Sequence, residues 1–235
     1  MFEQIKEWIS RRGSVEAHHD LAHLPMPKRL GVLPELSQLR MVVLDLEMTG
    51  LNPSKDHVIA IGAVAIDCLQ IPLRDQFDLI LRRPELDISE TVLIHGIGPE
   101  ALVRGHETED ALLYLLEWMN GDPILAFHSD FDQKFLEKTL KQTLGYKEPH
   151  IWLDVADLMP ALLNDAPKGG GRLDNWAEHC ALEVSERHHA AADALATAEL
   201  SLIALNRALK NDLTILEQVM ERMRYHRRLK ALHRQ

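Results

Sequence analysis

Four carboxylates and one histidine, spread over three segments, are the residues of this chain best suited to chemistry. Asp45 and Glu47 stand in the run LDLEMTGL, Asp132 in HSDFDQKFL, and His188 with Asp193 in HHAAADA. Carboxylate oxygens are the ligands that hard divalent cations take. Two such cations held close together can stabilise both the entering and the leaving oxygen of a phosphoryl displacement. A histidine titrates near neutrality, so it can accept the proton of an attacking water. The set is therefore what metal-assisted hydrolysis of a phosphodiester needs.

Such a site requires elements that bring the three segments together. The β signal Met41–Leu44 delivers Asp45 and Glu47 at its end. Residues two apart in a strand share a face, so both carboxylates can reach one metal. Thr49-Gly50 and Asn52-Pro53 then turn the chain. Asp132 falls in the first turn of a helix read over Asp130–Leu144, with Phe131, Phe135 and Leu136 toward the core. Taken alone, an acid there would simply complement the helix dipole. Asp130 competes with it, but at about 100° per residue the two aim about 200° apart, so one serves the site and Asp132 is expected. His188 lies on the loop before an Ala/Leu-rich helix over Ala190–Leu209, whose first turn holds Asp193; His189 is the immediate competitor.

The remaining pattern supplies a frame. Val58–Ile66 and Asp75–Leu81 read as strands joined by a hairpin connection through Cys68–Leu73. A helix over 108–119, a strand at Pro123–Phe127 and a strand at His150–Asp154 follow. Helices Val155–Leu163 and Leu173–Cys180 flank a flexible loop at Lys168–Gly171. Three early strands followed by alternating helices and strands indicate an α/β domain. Residues 2–11 read as an amphipathic helix, and Pro25, Pro27 and Pro34 break the segment after it. The expected organisation is an arm over 1–38, a main domain over 39–210 and a basic C-terminal helix over 211–235. That last helix is apolar at Leu213, Leu216, Val219, Met220 and Met223.

Composition narrows the function classes. With 235 residues, 46% hydrophobic and 26% charged, the chain can bury one sizeable core. No apolar run reaches eighteen residues, and the N-terminus lacks the apolar stretch of a signal peptide. Cys68 and Cys180 are too few for a disulfide framework or zinc site, so a reducing cytoplasm is expected. A net charge of −10 argues against strong nonspecific duplex binding. Bound divalent cations would reverse the sign of an acidic pocket. One basic run offers help, with Arg222, Arg224, Arg227, Arg228, Lys230 and Arg234 and no acid among them. Such a run is most often a solvated helix face, with phosphate contact or partner docking as the lesser reading.

In order, spacing and setting the three motifs resemble the DnaQ-like, or DEDDh, 3′→5′ exonucleases, a family that includes the proofreading subunit of bacterial replicative DNA polymerase. The resemblance spans residues from about 40 to about 205. It implies an RNase H-like fold, with a central five-stranded mixed sheet flanked by helices. It also implies two Mg²⁺ or Mn²⁺ ions. Asp45 would touch both, Glu47 and Asp193 would share the first, and Asp132 would position the second. His188 would be the general base. The peptide units around Met48, Thr49 and Gly50 would lie beneath the terminal nucleotide, and His95 in Ile94–Ile97 would approach it.

Several positions carry less. His128 is displaced by one residue from the family's histidine and receives no role. Asp154 is read as structural. Gln70–Leu73, faintly like a sliding-clamp peptide, is read as a turn. The implied function is release of 5′-mononucleotides from single-stranded or frayed DNA 3′ ends, with a DNA polymerase as candidate partner. LEMTGL is similar to the oligoribonucleases, which keeps RNA as the alternative substrate. A noncatalytic polymerase-associated scaffold is the reading from another class. Oligomeric state is left open.

Overall fold

The structure, a computed structural model, describes residues 21–72, 74–86, 88, 92–163, 165–184 and 187–232. The helix expected over 2–11, Leu73 of the hairpin connection and Arg234 lie outside the described residues.

A five-stranded sheet with strand order β3-β2-β1-β4-β5 organises the molecule. β1 spans Arg40–Met48, β2 Val58–Asp67, β3 Gln76–Ile80, β4 Ile124–Ala126 and β5 Trp152–Asp154. The first three are antiparallel neighbours, while β4 and β5 run parallel to β1. The sheet is therefore mixed, as expected. β1 is longer than the Met41–Leu44 reading, because β2 pairs with it from Arg40 through Met48 and carries the acidic pair into the strand. A register shift at Glu47/Met48 loosens the ladder where the chain leaves toward the next turn. The connection after β2 is tight: Cys68 and Leu69 both take positive φ, 51° and 57°, and Asp67 and Gln70 exchange backbone hydrogen bonds across them.

Strand alternation separates two packed layers. Met41 and Val43 join Val64, Ile66, Leu125 and Leu153 on one face. That face is covered by α5 (Val155–Leu162), α6 (Leu173–His179), α7 (Ala190–Lys210) and α8 (Leu216–Leu232). Val42, Leu44 and Leu46 face the other way, with Phe77, Leu79 and Ile124. There α3 (Thr108–Met119) and α4 (Ser129–Leu144) pack. Two short helices absent from the sequence reading, α1 (Val92–His95) and α2 (Pro99–Arg104), precede α3. Four and six residues are too short for a periodic signal, and Gly98 and Pro99 mark only a start.

The final helix begins at Leu216, later than residue 212, because Asp212 has φ 58° and Gln218 accepts hydrogen bonds from the amides of Thr214 and Ile215. Its buried stripe is Leu216, Val219 and Met223. At the sheet end away from Asp45, the Lys28 amide donates to Gly121 and the Leu36 amide to Thr214. Buried Asp122 pairs there with Lys28 and Arg40. No helix among the described residues is long and apolar enough to cross a membrane.

Candidate active site

The acids converge because three elements end at one place. Alternation within β1 turns Asp45 and Glu47 toward the α7 side, with Met41 and Val43. Asp45 is paired in register with Gly62 of β2, and the start of α7 rests directly on that glycine. A Cβ at Gly62 would lie 2.1 Å from the Ala190 carbonyl carbon and 2.2 Å from the Ala191 nitrogen. Glycine here lets the helix approach closely enough for its first-turn acid, Asp193, to reach the strand. Asp45, Glu47 and Asp193 each offer a carboxylate oxygen, and these oxygens lie within 4.8 Å of one another.

Asp132 arrives from the opposite layer. β4 stops at Ala126, so the β1 edge beyond it has no strand partner. The Asp132 carboxylate substitutes for one, accepting the Leu46 amide at 3.2 Å. Asp132 is 5% exposed, whereas Asp130 faces solvent, the division that helical rotation predicted. Asp154 also behaves as read. It caps α5 by accepting from Ala156 at 2.9 Å, and it accepts from the His128 amide at 2.9 Å. His128, with φ 62°, precedes α4 as an exposed residue whose peptide is pinned to β5.

Asp132 and Asp193 are buried, Asp45 and Glu47 half-buried, and acids this close repel one another. Burial, then Asp132, Asp193 and Glu47, hold the Asp45 carboxyl well above the usual carboxylate range. Burial and Asp193 push Glu47 up to about 7. Burial raises Asp132 to about 8, against the lowering effect of its backbone hydrogen bonds. One cation relieves the group: Arg187 pairs with both Asp193 and Asp174 of α6, and it lowers Asp45 and Glu47. A cluster of oxygens this close, partly neutralised by a guanidinium, fits a divalent cation far better than water.

The electrostatics dictate a pH dependence. A carboxyl raised in the folded state binds more protons folded than unfolded, so stability falls as pH rises toward the folded pKa. The histidines with lowered values (His57, His95, His106 and His150) act oppositely but finish near pH 6.5, so the carboxylates govern above it. With chelator present, the melting temperature should drop between pH 7 and 8.5, and Mg²⁺ should restore more at the upper end. A flat or rising melting temperature across that window would contradict the repulsive cluster.

Around the acids, the other expected residues take different positions. His188 is exposed on the loop, with φ 61°, and its amide donates to Asp193 at 3.1 Å. His189 lines a cavity of about 510 Å³ with Glu47, Ala60, His95 and Ile97. His95 is buried and accepts the Ile97 amide at Nδ1, 3.1 Å away. Its Nε2 consequently carries the proton and has no partner among the described residues. At Thr49 the amide and the hydroxyl are engaged in shaping the turn. The Thr49 amide donates to His57, and the Thr49 hydroxyl accepts the His57 amide, both at 3.0 Å. A Cβ at Gly50 would lie 2.5 Å from the Asp56 carboxylate.

Arg187, Gly62 and the cavity role of His189 escape the sequence reading. Arg187 could have been found as the basic residue immediately before the paired histidines; the Gly62 contact is purely tertiary.

Residues 42–201 match the exonuclease family, RNase T type. A DNA polymerase III PolC-type chain of Thermotoga petrophila is 30% identical over 196 residues, covering 83% of this chain and 14% of the relative. The Thermotoga maritima counterpart is 32% identical over 184 residues, 78% of this chain and 13% of the relative. The chain thus spans about one-seventh of these relatives' length. Among solved structures, exonuclease I superimposes with a TM-score of 0.64 at 19% identity, covering 74% of this chain and 42% of that one. E. coli exonuclease I in complex with a dT13 oligonucleotide gives 0.63, also at 19%, with the same coverage. At such identity the likeness concerns the fold, which is the RNase H-like arrangement expected.

Proposed function

Because this chain belongs to the exonuclease family, we propose that it releases 5′-mononucleotides from the 3′ end of single-stranded or frayed DNA, using Mg²⁺ or Mn²⁺ and His188 as general base. The observation that carries this reading is the convergence of Asp45, Glu47 and Asp193 from β1 and α7 on one point, with Asp132 beside it.

Asp45, Glu47 and Asp193 would hold one divalent cation, Asp45 would also face a second, and Asp132 would position it. Bound there, the cations supply charge stabilisation for the entering and leaving oxygens. The protein's own groups do the rest. The His188 imidazole takes the proton of the attacking water as its oxygen bonds to phosphorus. The bond from phosphorus to the 3′-oxygen of the preceding nucleotide breaks, and that oxygen takes a proton from solvent to become the new 3′-hydroxyl. Asp193 accepts the His188 amide and so fixes the loop that carries the base. His95 lines the cavity beside Glu47 and His189, and the terminal nucleotide would sit between that cavity and Met48–Gly50.

RNA is the second reading, favoured by the Glu47-Met48-Thr49-Gly50 run. A noncatalytic scaffold is disfavoured by the completeness of the acidic set. Similarity to PolC-type chains supports a DNA polymerase context, and two free cysteines suit a reducing cytoplasm. Matched DNA and RNA oligonucleotides labelled at either end test the proposal. Stepwise shortening of 5′-labelled DNA is expected, with His188→Ala slower by roughly 10²- to 10⁴-fold. Preference for RNA would move the substrate assignment, and cleavage unaffected by His188→Ala would remove the base.

A further inference from the structure

The last turns of α8 run toward the catalytic end of the sheet. The helix starts beside the N-terminal end of β1, where the Leu36 amide meets Thr214. Its Arg222 then donates to the Ala161 carbonyl at the end of α5, at 3.1 Å. Arg227 pairs at 2.6 Å with Asp157, in the first turn of α5. α8 is therefore antiparallel to α5. The N-cap of α5 is Asp154, which holds His128 at the root of the helix carrying Asp132. Residues 228–232 extend past this point, on the side where the strand ends place the acids.

The same turns change chemistry. Residues 222–232 contain five cations and no acid, in a chain of net charge −10. Arg222 and Arg227 are used to dock the helix; Arg224, Arg228 and Lys230 are exposed and form no ion pair among the described residues. Arg224 and Arg228 are one turn apart, and Tyr225 beside them is 55% exposed. Cations flanking an exposed ring are the elements with which proteins hold single-stranded nucleic acid.

We infer that Arg224, Arg228, Lys230 and Tyr225 form a binding lane for the phosphodiester backbone of the substrate strand upstream of its 3′ end. This rests on the nuclease reading. It supplies what that reading lacks, a basic approach to an acidic site in an acidic protein. The exposed Leu229 and Leu232 on the same turns would equally suit a protein surface, and the test separates the two occupants.

The experiment uses the full chain with Arg224→Glu, Arg228→Glu and Lys230→Glu combined, alone and in an Asp45→Asn background that binds without cutting. Fluorescence anisotropy in Ca²⁺ measures affinity for oligodeoxynucleotides of about 3 and about 15 nucleotides over a salt series. The lane predicts about tenfold weaker binding of the long strand, unchanged binding of the short one, and a salt slope shallower by about 2. In the cleaving background, KM for the long strand rises while kcat holds. Equal affinity and slope for both proteins would overturn the lane and leave the surface to a protein partner. Failure to cleave any nucleic acid, with length-dependent binding intact, would instead sink the nuclease reading alone.

Discussion

Asp45→Asn should reduce hydrolysis by at least about 10³-fold while the chelated protein melts at a higher temperature than wild type. The two effects have one origin. Burial, then Asp132, Asp193 and Glu47, hold the Asp45 carboxyl well above its usual range, so its charge works against the metal-free fold. A cation bound among these oxygens would turn that repulsion into attraction, and Asn contributes only a neutral carbonyl. Without metal, the same substitution removes a buried charge among like charges and relieves the fold. Activity assays with Mg²⁺ and melting curves in chelator check the pair. Full activity in the purified variant would remove Asp45 from the chemistry; a lower melting temperature would deny the repulsion.

A methyl group added at Gly62 should be nearly as damaging, although Gly62 touches no substrate. The added carbon would meet the Ala190–Ala191 peptide at 2.1–2.2 Å, backbone against backbone, with no flexible side chain to yield. Either α7 lifts from β2 or the sheet deforms, and Asp193 moves away from Asp45 in both cases. Overpacking of this kind costs about 1–3 kcal/mol, and a displacement of about 1 Å at a catalytic group can cost about 10²-fold in rate. Gly62→Ala should therefore lower the melting temperature and turnover together. Gly98→Ala, where nothing lies within 4 Å, should leave both near wild type. Equal behaviour of the two variants would show that α7 does not depend on this contact.

The acids were legible in the sequence because each lies in a local context with its own signal. Asp45 and Glu47 end an apolar run, and period two places them on one face. Helical rotation alone says that Asp130 and Asp132 cannot both serve, and the resemblance of Phe131-Asp132 with Phe135-Leu136 to the family's motif picks Asp132. The extent of β1 was not legible, since it depends on pairing with β2, from Arg40 with Asp67 to Met48 with Val58, and persists through charged residues that by themselves disfavour a strand. β4 and β5 span three residues each, although Pro123 and Ile151 just before them still accept the Val42 and Ile124 amides. Arg187 and Gly62 were invisible for a related reason. An arginine on a loop and a glycine in a strand carry no local mark of what they touch, and both act through α7. In the sequence His189 is only a rival to His188; its place beside Glu47 and His95 in the cavity depends on how the loop enters the helix.

The central claim is that these carboxylates form a divalent-cation-dependent nuclease centre. Its most direct test is cleavage of a 5′-labelled single-stranded oligodeoxynucleotide by purified protein, resolved at single-nucleotide steps, with Mg²⁺ or Mn²⁺ and with chelator. Such a centre gives a ladder that shortens one nucleotide at a time with metal and stops with chelator. Intact substrate with both metals, or shortening that persists in chelator, would contradict it.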